Sequence, residues 1–316
     1  MLEREISQSI AAGDTITSQL VCAATRKLAT LNSPAKLVFR FEGQPIDRAL
    51  IHAAREICPS VGFWHSPFAI GPNYLPLLGD AKSLRPRMNN GISKPMPDEM
   101  MTPGGICEKT LLRYGYPPEK IRPCGSLRSK KLLRIIRREK AVARRINRPR
   151  PNVDTIKILL ACSADPRENR SLIYAFQKSL ETLPVLNLVL RPHPACGFPA
   201  SLIRLLETNP KIVTVRLVND SQLYQEIRRS DMVLTGGSTL AFEAIALGVM
   251  PVVFESPANF SACSMAGFAK SLIIVRSSEE MAKGILGCWK RRHSWFVRKK
   301  RWFRLCEEIF IENLSK

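Results

Sequence analysis

The chain has 316 residues, of which 45% are hydrophobic, 24% charged and 7% aromatic. This composition excludes a mainly disordered, collagen-like or coiled-coil protein, and the length favours two domains. The net charge of +21, from 48 Lys and Arg residues against 27 Asp and Glu residues, predicts an anionic partner, which could be a nucleotide, an anionic glycan, nucleic acid or a membrane surface.

Residues 1–127 alternate between helical and strand-like patterns, which predicts a first α/β domain with a parallel sheet. Helices are predicted over 16–31, 46–57 and about 106–114. Short strands are predicted over 36–41, 61–64, 100–102 and 121–124. The segment 67–98 is rich in Pro, Gly and Asn and is interpreted as a long loop, a type that is often functional.

Residues 128–152 form a predicted basic linker. Its first 23 positions, 128–150, carry 11 basic residues and one acid, and it ends in an Arg-Pro-Arg-Pro run. Beyond it, 153–288 alternates strictly between strands and helices, which is typical of a second, doubly wound domain. The predicted strands are 156–162, 186–190, 212–215, 232–234, 251–254 and 272–275. The predicted helices are 168–183, 199–208, 221–229, 239–247 and 278–288.

Nine cysteines occur without any CxxC pair, so the spacing does not indicate a zinc or thioredoxin-like site. Reduced thiols in a cytoplasmic protein are the simplest interpretation. The N-terminus lacks the pattern of a signal peptide, and no apolar run is long enough to predict a membrane-spanning helix. We expect no metal and no cofactor.

Two motifs follow strands of the second domain, where ligands of doubly wound sheets bind. In Leu-Arg-Pro-His-Pro, a strand delivers Arg191 and His193 to its carboxyl end, and both side chains suit a phosphate. In the second motif, Gly236 and Gly237 let the backbone approach an anion, and Ser238 and Thr239 add hydroxyl groups. Glu243, one helical turn later, is expected to accept hydrogen bonds from ribose hydroxyls.

Two candidates for general-base catalysis follow strands of the first domain. Glu42 lies in Phe-Glu-Gly-Gln-Pro, directly after the predicted strand 36–41, and His65 follows the strand 61–64 in Trp-His-Ser. A carboxylate or imidazole at such a strand end can take a proton from an acceptor hydroxyl. Glu42 is the first candidate and His65 is the alternative.

The motifs of the second domain resemble those of glycosyltransferases of the GT-B fold, which has two Rossmann-like domains. The segment with His193 resembles the His-Pro motif of bacterial sialyl-, polysialyl- and Kdo transferases and of teichoic-acid glycerophosphotransferases, and Ser238-Thr239 resembles their Ser-Ser or Ser-Thr motif. The segments around Glu42 and His65, and 97–128, resemble bacterial surface-polysaccharide biosynthesis proteins.

The resemblance implies two Rossmann-like domains facing a cleft, an N-terminal acceptor domain and a C-terminal donor domain. The sequence departs from the family pattern at its front, which begins with helix-like sequence where the family has a strand and a Gly-rich turn, so we expect a shortened acceptor domain. It implies transfer of a sugar or polyol phosphate from a nucleotide-activated donor, with CMP-sugars among the candidates, to a glycan or lipid-linked acceptor of a bacterial surface polysaccharide such as a capsule. The implied donor-phosphate contacts are His193 and the 236–239 turn. A sugar-nucleotide epimerase of the same fold and a non-catalytic binding or assembly protein remain open alternatives.

The end of the chain, 289–316, is predicted to form a basic and aromatic helix. Residues 289–304 combine eight Lys or Arg residues with three of the four tryptophans. Such a pattern suits an anionic membrane surface, and we therefore expect peripheral attachment to the cytoplasmic leaflet. Packing of the aromatic residues against the protein and binding of an anionic glycan are alternatives, and no signature of a nucleic-acid module is present.

Overall fold

The computed structural model describes residues 14–41, 45–55, 57–64, 96–113, 116–126, 129–135, 155–194, 196–256 and 272–291. The chain divides into two compact units between Lys130 and Lys131. Each unit contains one fully parallel sheet with helices between its strands. The prediction of two α/β domains is confirmed.

The first unit has a four-stranded sheet in the order β1-β2-β3-β4. Its strands are β1 (Leu37–Arg40), β2 (Ser60–Phe63), β3 (Glu99–Thr102) and β4 (Ile121–Pro123). Its helices are α1 (Asp14–Asn32), α2 (Pro45–Ala54) and α3 (Gly105–Arg113). Its core joins aromatic side chains at the sheet, among them Phe41 and Trp64, to Cys107 and Leu111 of α3.

The second unit has a six-stranded sheet in the order β10-β9-β8-β5-β6-β7. Its strands are β5 (Ile156–Ala161), β6 (Leu186–Arg191), β7 (Ile212–Leu217), β8 (Met232–Thr235), β9 (Met250–Phe254) and β10 (Ile273–Val275). Its helices are α4 (Pro166–Ser179), α5 (Ala200–Glu207), α6 (Leu223–Arg229), α7 (Leu240–Ala246) and α8 (Ser278–Lys290).

The central strands of this sheet are apolar because both faces are covered. All four residues of β8 are buried, as are five of the six in β5, as expected for a parallel sheet between two helical layers. Phe176 of α4 and Met281 of α8 reach zero exposure in the same core. Burial of these apolar side chains therefore stabilises the sheet, and the sheet positions the polar loops that follow its strands.

The strand order creates a switch point between β5 and β8. The chain runs outwards from β5 through β6 to β7, then returns to place β8 on the other side of β5. Loops leaving β5 and β8 therefore diverge, and they leave a crevice at the carboxyl end of the sheet where ligands of such folds bind.

A buried carboxylate lies on α6, a helix that contacts β5 of this sheet. Glu226 of α6 has a side chain 3% exposed and forms ion pairs with Lys157 at 3.4 Å, with Arg229 at 3.4 Å and with Arg216. Burial raises the pKa of this carboxyl, but the charges of Lys157 and Arg216 outweigh burial and hold the pKa below its ordinary value. The carboxylate joins β5, β7 and α6 through their side chains.

Small parts of the two basic segments belong to the described residues. Residues 130–135 are helical, Leu132 is fully buried, and the Lys131 ammonium lies 5.7 Å from the centre of the Tyr224 ring. Trp289, near the end of α8, packs against the core of its own unit. The remainder of both segments, and nearly all of the predicted loop 67–98, lie outside the described residues.

Within the described ranges, no helix is long and apolar enough to cross a membrane. Seven cysteines in these ranges are free thiols.

Candidate functional site

Arg191 ends β6 and His193 lies in the loop after it, as the sequence predicts. Arg191 is the last residue of β6 and is 8% exposed. Its guanidinium donates to Asp220 Oδ1 at 2.8 Å, which fastens this strand end to the loop after β7. His193 is half-buried, and its carbonyl accepts from the backbone N–H of Cys196 at 3.1 Å. Arg191 is therefore ion-paired with Asp220. The phosphate-binding roles of Arg191 and His193 both stay predictions.

The loop after β8 is a compact glycine turn. Thr235 ends the strand, and its hydroxyl donates to Ala161 O of β5 at 3.0 Å. The Ser238 N–H donates to Gly236 O at 2.8 Å, and Ser238 Oγ accepts from the Leu240 N–H at 3.2 Å. Ser238 thus supports the first turn of α7, as its predicted position before a helix requires.

Thr239 and Glu243 continue from this turn. Thr239 is half-buried directly before α7, and Glu243 lies inside that seven-residue helix with 8% exposure. The expected ribose contact of Glu243 stays a prediction.

Sequence reasoning missed the third loop of this edge, which follows β5. Asn169 is buried and closes the loop, because its Oδ1 accepts from the Ser163 N–H at 2.7 Å and its Nδ2 donates to Ser163 O at 2.9 Å. Asp165 caps α4 by accepting from the Arg167 N–H at 2.8 Å. In the first turn of α4, Glu168 extends to the glycine turn, where its Oε1 accepts from the Gly237 N–H at 2.7 Å.

The loop after β5 lies between the other two. On one side, the Cys196 thiol lies 3.4 Å from the carbonyl oxygens of Ser163 and Ala164. On the other side, Glu168 reaches Gly237. Since β6 and β8 flank β5, their ends are two strand spacings apart, roughly 9–10 Å. The three loops therefore form one continuous polar rim along the crevice.

The Cys162 thiol lies directly after β5 and is buried. Burial raises the pKa of Cys162 to about 12, with a further rise from Cys196, a lowering by Arg191 and a rise from Glu168. Arg191 lies beside this strand end, since the Cys162 N–H donates to Arg191 O at 3.0 Å.

In the first unit, the strand ends carry the residues that precede the two general-base candidates. Phe41 and Trp64 are each 1% exposed, and the Phe41 N–H donates to Phe63 O at 2.9 Å. Phe41 and Trp64 are therefore neighbours at the carboxyl edge of this sheet. The candidates that follow them, Glu42 and His65, lie outside the described residues, and their roles stay predictions.

In the part of the chain that the structure describes, no group of three or more His, Cys, Asp or Glu side chains is arranged to hold a metal ion.

The comparisons with known proteins identify the fold. No protein-family model matches the chain, and no curated protein sequence does. The structure is similar to a UDP-GlcNAc 2-epimerase from Neisseria meningitidis solved with UDP-GlcNAc, with a TM-score of 0.57, 13% identity, and coverage of 94% of this chain and 76% of that chain.

Two further solved structures are similar over comparable lengths. A Methanocaldococcus jannaschii UDP-GlcNAc 2-epimerase in complex with UDP-GlcNAc and UDP has a TM-score of 0.54 and 14% identity, covering 91% of this chain and 79% of that chain. An α,α-trehalose 6-phosphate synthase from Burkholderia multivorans has a TM-score of 0.53 and 14% identity, covering 95% and 72%. At these identities the likeness establishes the fold, two parallel-sheet α/β domains of the GT-B type, and the chemistry must be argued from the site.

Proposed function

We propose that the protein is a cytoplasmic enzyme that binds a nucleotide-activated sugar at the carboxyl edge of its second sheet and transfers the sugar, or a polyol phosphate, to a bacterial surface polysaccharide such as a capsule. Glu42 serves as the general base of this transfer, with His65 as the alternative. His193 and the turn Gly236–Thr239 hold the donor phosphate, and Glu243 accepts from the ribose.

One observation carries the proposal. The loops after β5, β6 and β8 meet at the switch point of a sheet in Rossmann order, and they bring His193, backbone N–H groups and hydroxyl groups to the same rim. Imidazole, hydroxyl and backbone N–H groups are donors that suit a phosphate. Arg191 supports the rim indirectly, since its ion pair with Asp220 joins two of the strand ends.

The second candidate function is epimerisation of a sugar nucleotide. It is favoured by the fold comparison, in which two of the three structures described are UDP-GlcNAc 2-epimerases. The third structure, a trehalose 6-phosphate synthase, is compatible with transfer. A non-catalytic binding protein would keep the nucleotide site and lack turnover.

An assay with UDP-GlcNAc and a panel of CMP-sugars separates these functions. A transferase releases the nucleotide only when an acceptor is added, and the glycan gains mass. An epimerase changes the sugar configuration at C2 without an acceptor, which proton NMR detects directly. Nucleotide binding in calorimetry, with neither reaction, would favour the binding protein. The same calorimetry decides between cytidine, expected from the motif resemblance, and uridine, present in the two epimerase structures.

We predict that His193→Ala weakens binding of the preferred nucleotide about tenfold, because a charged or polar hydrogen bond to phosphate is lost, at roughly 1–3 kcal/mol. Calorimetry measures the change. His52→Ala is the matched control, since His52 is exposed on α2 in the other unit. Equal affinities of the His193 variant and the natural chain would remove His193 from the site.

We also propose that residues 289–304, with help from 128–150, hold the protein at an anionic membrane surface. The first segment has eight basic residues in sixteen positions, each worth on the order of 1 kcal/mol near anionic lipid. In flotation with liposomes, binding should rise with the anionic lipid fraction and fall with salt. A protein that stays unbound at low salt would contradict membrane attachment and favour an anionic glycan as the partner of these segments.

A further inference from the structure

In the glycine turn after β8, a backbone N–H already donates a hydrogen bond to a carboxylate of the protein itself, that of Glu168. Glu168 Oε1 accepts from the Gly237 N–H at 2.7 Å. A side chain at position 236 would overlap this carboxylate, since a Cβ built there overlaps Oε1 and lies 2.6 Å from Cδ. The absence of a side chain at Gly236 therefore makes room for the carboxylate of Glu168 against the turn.

This carboxylate has no balancing cation among the described residues. Neither an ion pair nor a second side-chain hydrogen bond to Glu168 occurs within the described ranges, although other acids of this unit, such as Glu226 and Asp220, are paired with Lys or Arg. Glu168 is half-buried at the mouth of the switch-point crevice. An acid needed only to fasten two loops could be replaced by a neutral acceptor, whereas an unpaired charge at this position acts on any anion that enters.

We infer that Glu168 is a specificity-determining gate for the donor: in the ligand-free protein its carboxylate occupies the turn N–H that the donor phosphate takes over on binding. The inference rests on the proposed function, because it assumes that the phosphate binds at the same turn. One N–H cannot serve two anions, so the phosphate must displace the carboxylate. The gate therefore favours ligands whose negative charge and further contacts are sufficient to displace the Glu168 carboxylate from the Gly237 N–H.

The displaced carboxylate also remains close to the bound phosphate. Two like charges a few ångströms apart repel at a partly buried site. Salt and solvent weaken this repulsion without abolishing it. Removing the charge of Glu168 should therefore tighten nucleotide binding, an unusual outcome for a change at a binding site.

Glu168→Gln provides the test, because the amide oxygen can still accept from Gly237 while the charge is gone. UDP and CMP are titrated into the full chain by calorimetry at one fixed salt concentration. We expect Glu168→Gln and Glu168→Ala both to bind the preferred nucleotide at least fivefold more tightly than the natural chain. Glu207→Gln, a neutralised exposed acid at the end of α5, should leave the affinity unchanged. Thermal unfolding of each variant confirms that it is folded.

The outcomes separate the gate from the proposed function. If the natural chain binds a nucleotide and Glu168→Gln binds it equally or more weakly, the gate is wrong. If Glu168→Ala alone loses affinity, Glu168 is an anchor of the turn and the gate is again wrong. If both variants bind measurably and the natural chain does not, both inferences are supported. If none of the folded proteins binds UDP or CMP, the proposed nucleotide site fails, and the gate fails with it.

Discussion

Substituting glutamine for Glu42 is expected to lower turnover about 100-fold while nucleotide affinity stays within twofold. The carboxylate can take a proton from the acceptor, or from the sugar in an epimerase, and the amide cannot. A loss in kcat without a loss in donor binding is the signature of a group that acts in the transition state. Single-turnover kinetics with the preferred donor, alongside calorimetry, measures both quantities.

The comparison variants decide whether the effect belongs to Glu42. Glu119→Gln removes an exposed acid of the same unit and should leave turnover unchanged. His65→Ala tests the alternative base, since Trp64, the residue before it, neighbours Phe41 at the same sheet edge. Near-natural turnover of Glu42→Gln, combined with a large loss in His65→Ala, would transfer the role to His65.

Replacing Glu226 by alanine is expected to lower the free energy of unfolding of the second unit by about 2–3 kcal/mol. The carboxylate is 3% exposed and joins three cations. Breaking a fully buried pair costs roughly 3–5 kcal/mol, but Lys157, Arg216 and Arg229 keep 29–58% exposure and can be hydrated, so the cost is smaller. Urea unfolding, followed by circular dichroism, measures it.

The contribution of Glu226 should depend on pH in one direction. Because the pKa of Glu226 is lowered in the folded protein, its stabilising effect is complete above its ordinary pKa of 4.5 and disappears as the pH falls through the lower folded value. The stability difference between the natural chain and Glu226→Gln should therefore be largest near neutral pH and shrink below about pH 4.5. A difference that is constant from pH 7 to pH 3.5 would contradict the ion-pair account.

The fold could be predicted from the sequence because the hydrophobic pattern carries it. The buried runs around Ile158 and Val233 have the length and composition of covered strands, and Asp165 and Ser277 cap α4 and α8 where polar residues precede helical patterns. These signals depend only on residues close in sequence, so they can be recognised without knowledge of the tertiary structure. The motif at 236–239 was found for the same reason, since glycines between a strand and a helix form a local pattern.

The loop after β5 could not be predicted as part of the site, because its role depends on strand order. Glu168 contacts Gly237, 69 positions away, only because β8 pairs with β5. Likewise, the ion pair of Arg191 with Asp220 becomes apparent only when the loop after β7 lies beside the end of β6. Long-range pairing decides both contacts, and no local pattern encodes it.

A crystal structure of the full chain with UDP tests the central claim most directly. The proposed site predicts that the phosphates lie along the loops after β5, β6 and β8, with the Gly237 N–H donating to a phosphate oxygen and the Glu168 carboxylate moved away from the turn. A nucleotide bound at another surface, or a turn that keeps its Glu168 contact while UDP is bound nearby, would contradict the site or the exchange at Gly237, respectively.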